Sequence, residues 1–125
     1  MTPTAPRVFI VNEPLGSGGK RVIDLSPALE FGQMVHVLPA GQVVNDPDTL
    51  TNALRAGLAD FREGDYLLLV GNPAAIGCAT ALAASLTGGF VNLLRWHGHQ
   101  RRYEAMSVDL AVDDTDEEVQ GAVAA

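Results

Sequence analysis

The sequence predicts an α/β domain bordering on α+β. It has a single mixed β-sheet of about five to six strands, element order βββαβαββ, with two main helices packed on the sheet. Three observations predict this. An amphipathic stripe runs through residues 50–61, an Ala-rich uncharged segment fills 73–86, and short β-branched or aromatic runs flank both. At 125 residues the chain suits one domain and is short for two.

The elements follow in order. Arg7 to Val11 is a β-branched and aromatic run and reads as a strand. Asn12 to Gly19 is a loop dense in turn residues, and Lys20 to Leu25 resumes strand character, so the two strands are expected to form a hairpin. Ser26 to Gly32 holds one helical turn, with Ser26 as cap and Pro27 at the first position. Gln33 to Leu38 is the third strand. Leu50, Ala53, Leu54, Gly57, Leu58 and Phe61 recur at helical spacing, with Asp46 or Asp48 to cap the helix and Gly64 to stop it.

Tyr66 to Val70 is apolar without alternation, the mark of a strand covered on both faces. Asn72 and Pro73 then start the Ala-rich helix, and Thr87-Gly88-Gly89 ends it. Phe90 to Trp96 is a strand parallel to Tyr66 to Val70, because a helix crosses between them. His97 to Gln100 turns the chain, and Arg101 to about Val112 returns antiparallel with alternating apolar residues. With both helices on one face, the other face is expected to need a partner or a polar coat, which points to a homodimer. Residues 1–112 are taken as the domain and 113–125 as an acidic tail, disordered or holding a short helix behind the capping box Thr115 to Glu118.

Composition narrows the function classes. A chain that is 47% hydrophobic and 18% charged is neither disordered nor a coiled coil. One cysteine excludes an internal disulfide scaffold and a cysteine-based zinc site. The net charge is −7, but five of the 15 acids lie in 113–125, so the body holds ten acids against eight bases. A globally basic nucleic-acid binder is disfavoured. The N-terminus lacks the basic and apolar regions of a signal peptide. The most apolar helix has 14 residues where a bilayer span needs about 20. The expectation is a protein of a reducing cytoplasm with no membrane association.

Two surfaces could carry function. The first is the turn 71–77, which joins a buried strand to a helix N-terminus, a junction favourable to anions. Gly71, Asn72, Ala74 and Ala75 are its candidate ligand-binding residues, with Lys20 and Arg21 as nearby cations. The loop Leu15 to Lys20 is not a phosphate loop: Pro14 stands where that motif needs Gly, and Arg21 where it needs Ser or Thr. The second surface is the hairpin Arg95 to Tyr103. Arg95, Trp96, His97, His99, Arg101, Arg102 and Tyr103 have the composition of interface hot spots and of single-strand nucleic-acid platforms. The acidic tail is expected to compete for this basic hairpin. His97 and His99 alone are too few to hold a metal. Cys78 reads as a small core residue, and Asp60, Glu63 and Asp65 read as solubilising charge. No catalytic grouping and no cofactor are indicated.

Three blocks carry a resemblance: Gly64-Asp65-Tyr66-Leu67-Leu68-Leu69-Val70-Gly71-Asn72-Pro73-Ala74-Ala75-Ile76-Gly77, then Leu93-Leu94-Arg95-Trp96, then Val108-Asp109-Leu110. Over Gly64 to Leu110 the chain resembles small proteins of unassigned function encoded by tailed bacteriophages and prophages. The resemblance implies expression in the cytoplasm of an infected bacterium and supplies no active site. The leading expectation is a non-enzymatic accessory protein that binds a host or phage protein through the hairpin, with nucleic acid or nucleotide ranking behind a protein partner. A small-molecule or nucleotide sequestering protein using 71–77 is the second expectation. A virion or assembly component is the third.

Overall fold

The computed structural model describes residues 5–112. Five strands form one sheet: β1 (Arg7–Ile10), β2 (Gln33–His36), β3 (Tyr66–Leu68), β4 (Phe90–His97) and β5 (Arg102–Asp109). Their spatial order is β2-β1-β3-β4-β5, with the first four parallel and β5 antiparallel to β4. The mixed α/β sheet read from the sequence is therefore present, with five strands.

The Lys20 to Leu25 strand is not. Only an isolated bridge between Leu15 and Arg21 remains, and β1 pairs parallel with β2 instead of forming a hairpin. The apolar residues of that segment have another use. Ile23 and Leu25, with Ala28 and Phe31 from the 3-10 helix Ser26–Phe31, cover the sheet face formed by Val8, Ile10, Leu68 and Leu94. The expectation that this face needs a partner or a polar coat fails for the same reason: the chain covers it itself.

Both α-helices lie on the opposite face, as their patterning predicts. In α1 (Pro47–Gly57) Leu54 is buried with Leu58, Phe61, Phe9 and Val37. Fully burying each such side chain contributes roughly 1.5–3 kcal/mol. Asp46 is the cap, accepting from the Thr49 amide at 2.9 Å. The helix ends at Gly57, seven residues before the expected stop at Gly64. A Cβ at Gly57 would collide with the Val37 carbonyl, so this glycine serves the close seating of α1 on the end of β2. In α2 (Pro73–Leu86) Ala75, Ala79 and Ala83 recur on every fourth position and form the buried stripe. Small side chains there bring the helix close to the sheet and to α1.

The connection from β1 to β2 runs over one face, while α1 and α2 run over the other. The winding therefore reverses between β1 and β3, which are adjacent. Open sheets of this order present a crevice at that point, beyond the carboxyl ends of the strands. The acidic tail 113–125 and its capping box lie outside the described residues.

Candidate functional site

Three loops meet at the reversal point. Beyond β1, the Val11 amide donates to Leu68 O at 3.3 Å and the Asn12 amide to Val70 O at 3.2 Å. On the other side the Val37 and Leu38 amides donate to Ile10 O and Val11 O at 2.8 and 3.2 Å. Asn12 to Leu15 then turn away from the sheet. The loop after β2 is tied to them twice: Gly41 N donates to Glu13 O at 2.7 Å, and Asn12 Nδ2 to Gln42 O at 2.9 Å. The third loop leaves β3 through Gly71, whose φ is +105°.

Between these loops is a crevice of about 410 Å³. Leu38, Leu50, Val43, Val44 and Ala75 supply apolar walls, and Asn12, Gln42 and Asn72 supply amides. Its size falls within the roughly 300–1,000 Å³ of small-molecule sites. The hydrogen bonds between loops hold the walls in place without a ligand, so binding would cost little ordering.

The structure treats the expected ligand residues unequally. Gly71, Asn72 and Ala75 line the crevice, whereas Ala74 and Lys20 do not. Arg21 is directed to Glu13, with Nε 3.6 Å from Oε2. The start of α2 is also a weaker anion site than its position promised. Pro73 has no N–H, and the Ala74 amide is already taken by Asn72 Oδ1 at 2.8 Å.

Sequence reading missed Glu13. It sits in a run of turn residues and looks like surface charge, yet it is 0% exposed and lines the crevice. Neither of its carboxylate oxygens receives a hydrogen bond. Its neighbours are Arg21 and the Nε2 of His36, each at 3.6 Å. No periodicity marks a residue that becomes buried through a tertiary meeting of loops. Asp65 was misread as solubilising charge. It is 3% exposed and accepts from the Arg7 amide, the Arg7 guanidinium and the Arg62 amide.

The hairpin forms as read, with β4 and β5 in unbroken register from Phe90↔Asp109 to His97↔Arg102. Its side chains do not form one surface. Alternate residues of a strand face opposite sides. Arg95, His97 and Arg102 share the face of Val91 and Leu93, where Arg95 lies 3.7 Å from Glu104. Trp96 and Tyr103 pair on the other face, edge to face at 5.0 Å. His99 is in the exposed turn, its ring 6.4 Å from that of His97. Trp96, Tyr103 and Arg101 line a second cavity of about 510 Å³ with Val22, Asp24 and Val70. Burial, followed by the charges of Asp24 and Glu13, pushes the Tyr103 phenol up.

Fold and crevice together define a class: an open doubly wound α/β protein with a preformed cleft at the reversal of its sheet. The chain belongs to the Phage Pam3 gp32-like protein family, whose model matches residues 6–110. The match extends the resemblance read over 64–110 into the N-terminal third, where β1 and the Asn12 to Leu15 loop lie. No curated protein and no solved structure matches the chain. No helix among the described residues is long and apolar enough to cross a membrane.

Proposed function

We propose that this phage protein is a non-enzymatic binding protein that holds a small molecule in the crevice between Asn12–Leu15, Gly41–Val44 and Gly71–Ala75. It acts in the cytoplasm of the infected bacterium. The observation that carries this reading is the convergence of three strand ends on one preformed cleft at the sheet reversal. The test is thermal unfolding of the full chain against a panel of nucleosides, nucleotides, amino acids and sugars. A true ligand at 100 times its Kd stabilises by about 2.7 kcal/mol. The Val43→Trp variant changes an exposed wall residue and fills the cleft. It should unfold at the parent temperature and lose the ligand's effect. A flat panel, or an effect that survives Val43→Trp, would defeat the reading.

One observation favours a second reading, in which the hairpin contacts a host or phage protein. Trp96 is 48% exposed at the rim of a cavity that also holds Tyr103 and Arg101. Such a grouping is typical of interface anchors. Trp96→Ala with Arg101→Ala should then abolish capture of a co-purifying phage or host protein, with the near-native fold retained by circular dichroism. Undiminished capture would remove the hairpin from consideration.

A further inference from the structure

We propose that the cavity between the hairpin and the strip over residues 22–27 binds a free α-amino acid with a large apolar side chain, its ammonium set against Asp24 and its carboxylate against Arg101. The site is separate from the crevice, with which it shares no lining residue. It gives the surface of the second reading above a different occupant, a small zwitterion.

The cavity holds about 510 Å³ and lies beyond the carboxyl ends of β3 and β4, on the side where open sheets take ligands. Val22, Pro27, Leu69 and Val70 give it an apolar lining, and Trp96 adds a ring that is 48% exposed. An apolar side chain leaves water when it packs against these groups.

Three polar groups reach the same space. Tyr103 lines the cavity and is nearly buried. Its hydroxyl has no hydrogen-bond partner among the described residues, yet it is not shut off from water. Burial and the charges of Asp24 and Glu13 keep the phenol protonated, so it can donate to an acceptor in the cavity. Asp24 is held in place by Ser26, whose hydroxyl and amide donate to Oδ1 at 2.7 and 3.0 Å and lower the carboxyl below its usual range. Oδ2 stays open to the cavity side. Arg101 brings the opposite charge. It stands at a φ of +52° in the hairpin turn, a left-handed position that Gly or Asn would fill with less strain. The turn therefore gives no reason for an arginine, whereas the cavity it lines does. Among the described residues neither Asp24 nor Arg101 belongs to an ion pair, with each other or with a third group.

These groups select the ligand. A simple cation would meet Arg101, and a simple anion would meet Asp24. A hydrocarbon would leave both charges and the phenol unanswered. An amino acid carries one charge of each sign beside a side chain for the apolar lining, and its carboxylate accepts from Tyr103 as well as from Arg101.

Trp96 is the single tryptophan of the chain, so its fluorescence reports on this cavity. Phenylalanine and leucine are titrated into the full chain, each beside the amine that lacks the carboxylate and the acid that lacks the ammonium. At least one amino acid should change the Trp96 emission to saturation, with both of its analogues weaker by about tenfold, the worth of one charge-assisted hydrogen bond. Asp24→Asn should weaken the amino acid about tenfold and leave the acid unchanged. Arg101→Gly should weaken it equally, leave the amine unchanged, and unfold at or above the parent temperature because the turn is relieved. Three results would overturn the proposal. If neither amino acid moves the emission, the cavity takes none, whether or not a protein is captured through Trp96. If an amino acid and its analogues bind alike, Asp24 and Arg101 do not read the ligand. If Val43→Trp, followed by calorimetry, abolishes the binding, the amino acid sits in the crevice, and the reading of the crevice stands while this one falls.

Discussion

Gly71→Ala is expected to lower stability by roughly 3 kcal/mol, the cost of a strained backbone position joined to a steric clash. Gly71 has a φ of +105°, which L side chains rarely adopt. An added Cβ would also run into the Asn12 carbonyl and come within 2.6 Å of the Asn12 Cβ. The loops after β1 and β3 touch at this point, so one of them must withdraw. Urea unfolding measures the loss as a lower midpoint at unchanged slope. The same displacement opens the crevice floor, and any ligand of the parent protein should bind the variant poorly. Parent-like stability would show that the two loops are not in contact there.

Asp65→Ala is expected to cost about 3 kcal/mol, the lower end for removing one partner of a buried pair, since the Arg7 side chain is 19% exposed. The carboxylate joins the start of β1 to the turn before β3. Its Oδ1 accepts the Arg7 amide at 3.0 Å, and its Oδ2 accepts Arg7 Nη2 at 2.9 Å and the Arg62 amide at 3.1 Å. Without it two backbone donors lose their acceptor, and the guanidinium keeps only the Asp60 carbonyl, 2.7 Å from Nη2. Glu63→Ala, two residues away and exposed, is the control and should leave the urea midpoint in place. Equal midpoints for the two variants would return Asp65 to the surface role its sequence context implies.

The contrast between these neighbours shows where sequence reasoning stops. Helices α1 and α2, the parallel pair β3 and β4, and the hairpin β4–β5 were legible because each is a local pattern: a 3.6-residue stripe, a cap, a turn. The caps Asp46 and Asn72 were legible for the same reason. Residues 20–25 were misread because apolar spacing reports burial and does not say whether the backbone is paired. Ile23 and Leu25 are sheltered, but as a cover laid on the sheet. The stop of α1 was misplaced because Gly57 answers to Val37, twenty residues earlier, and not to its own helix. Half of the crevice was visible in Gly71, Asn72 and Ala75. The other half, Asn12, Glu13 and Gln42, comes from a strand order that reverses around β1, and no short-range signal encodes that order. The hairpin was legible as an element, but the separation of its side chains into two faces appears only once the register Trp96↔Tyr103 is known.

The two sides of the sheet are guarded unequally. Helices of 11 and 14 residues shield one, while the other relies on an irregular strip whose longest regular element is six residues long. Few internal backbone bonds hold that strip, so it detaches at lower free energy than the helical layer. When it lifts, Val8, Ile10, Leu68 and Leu94 are bared together as a continuous greasy band. Losses during concentration or storage of this protein would begin with that partial opening, well before the helices melt.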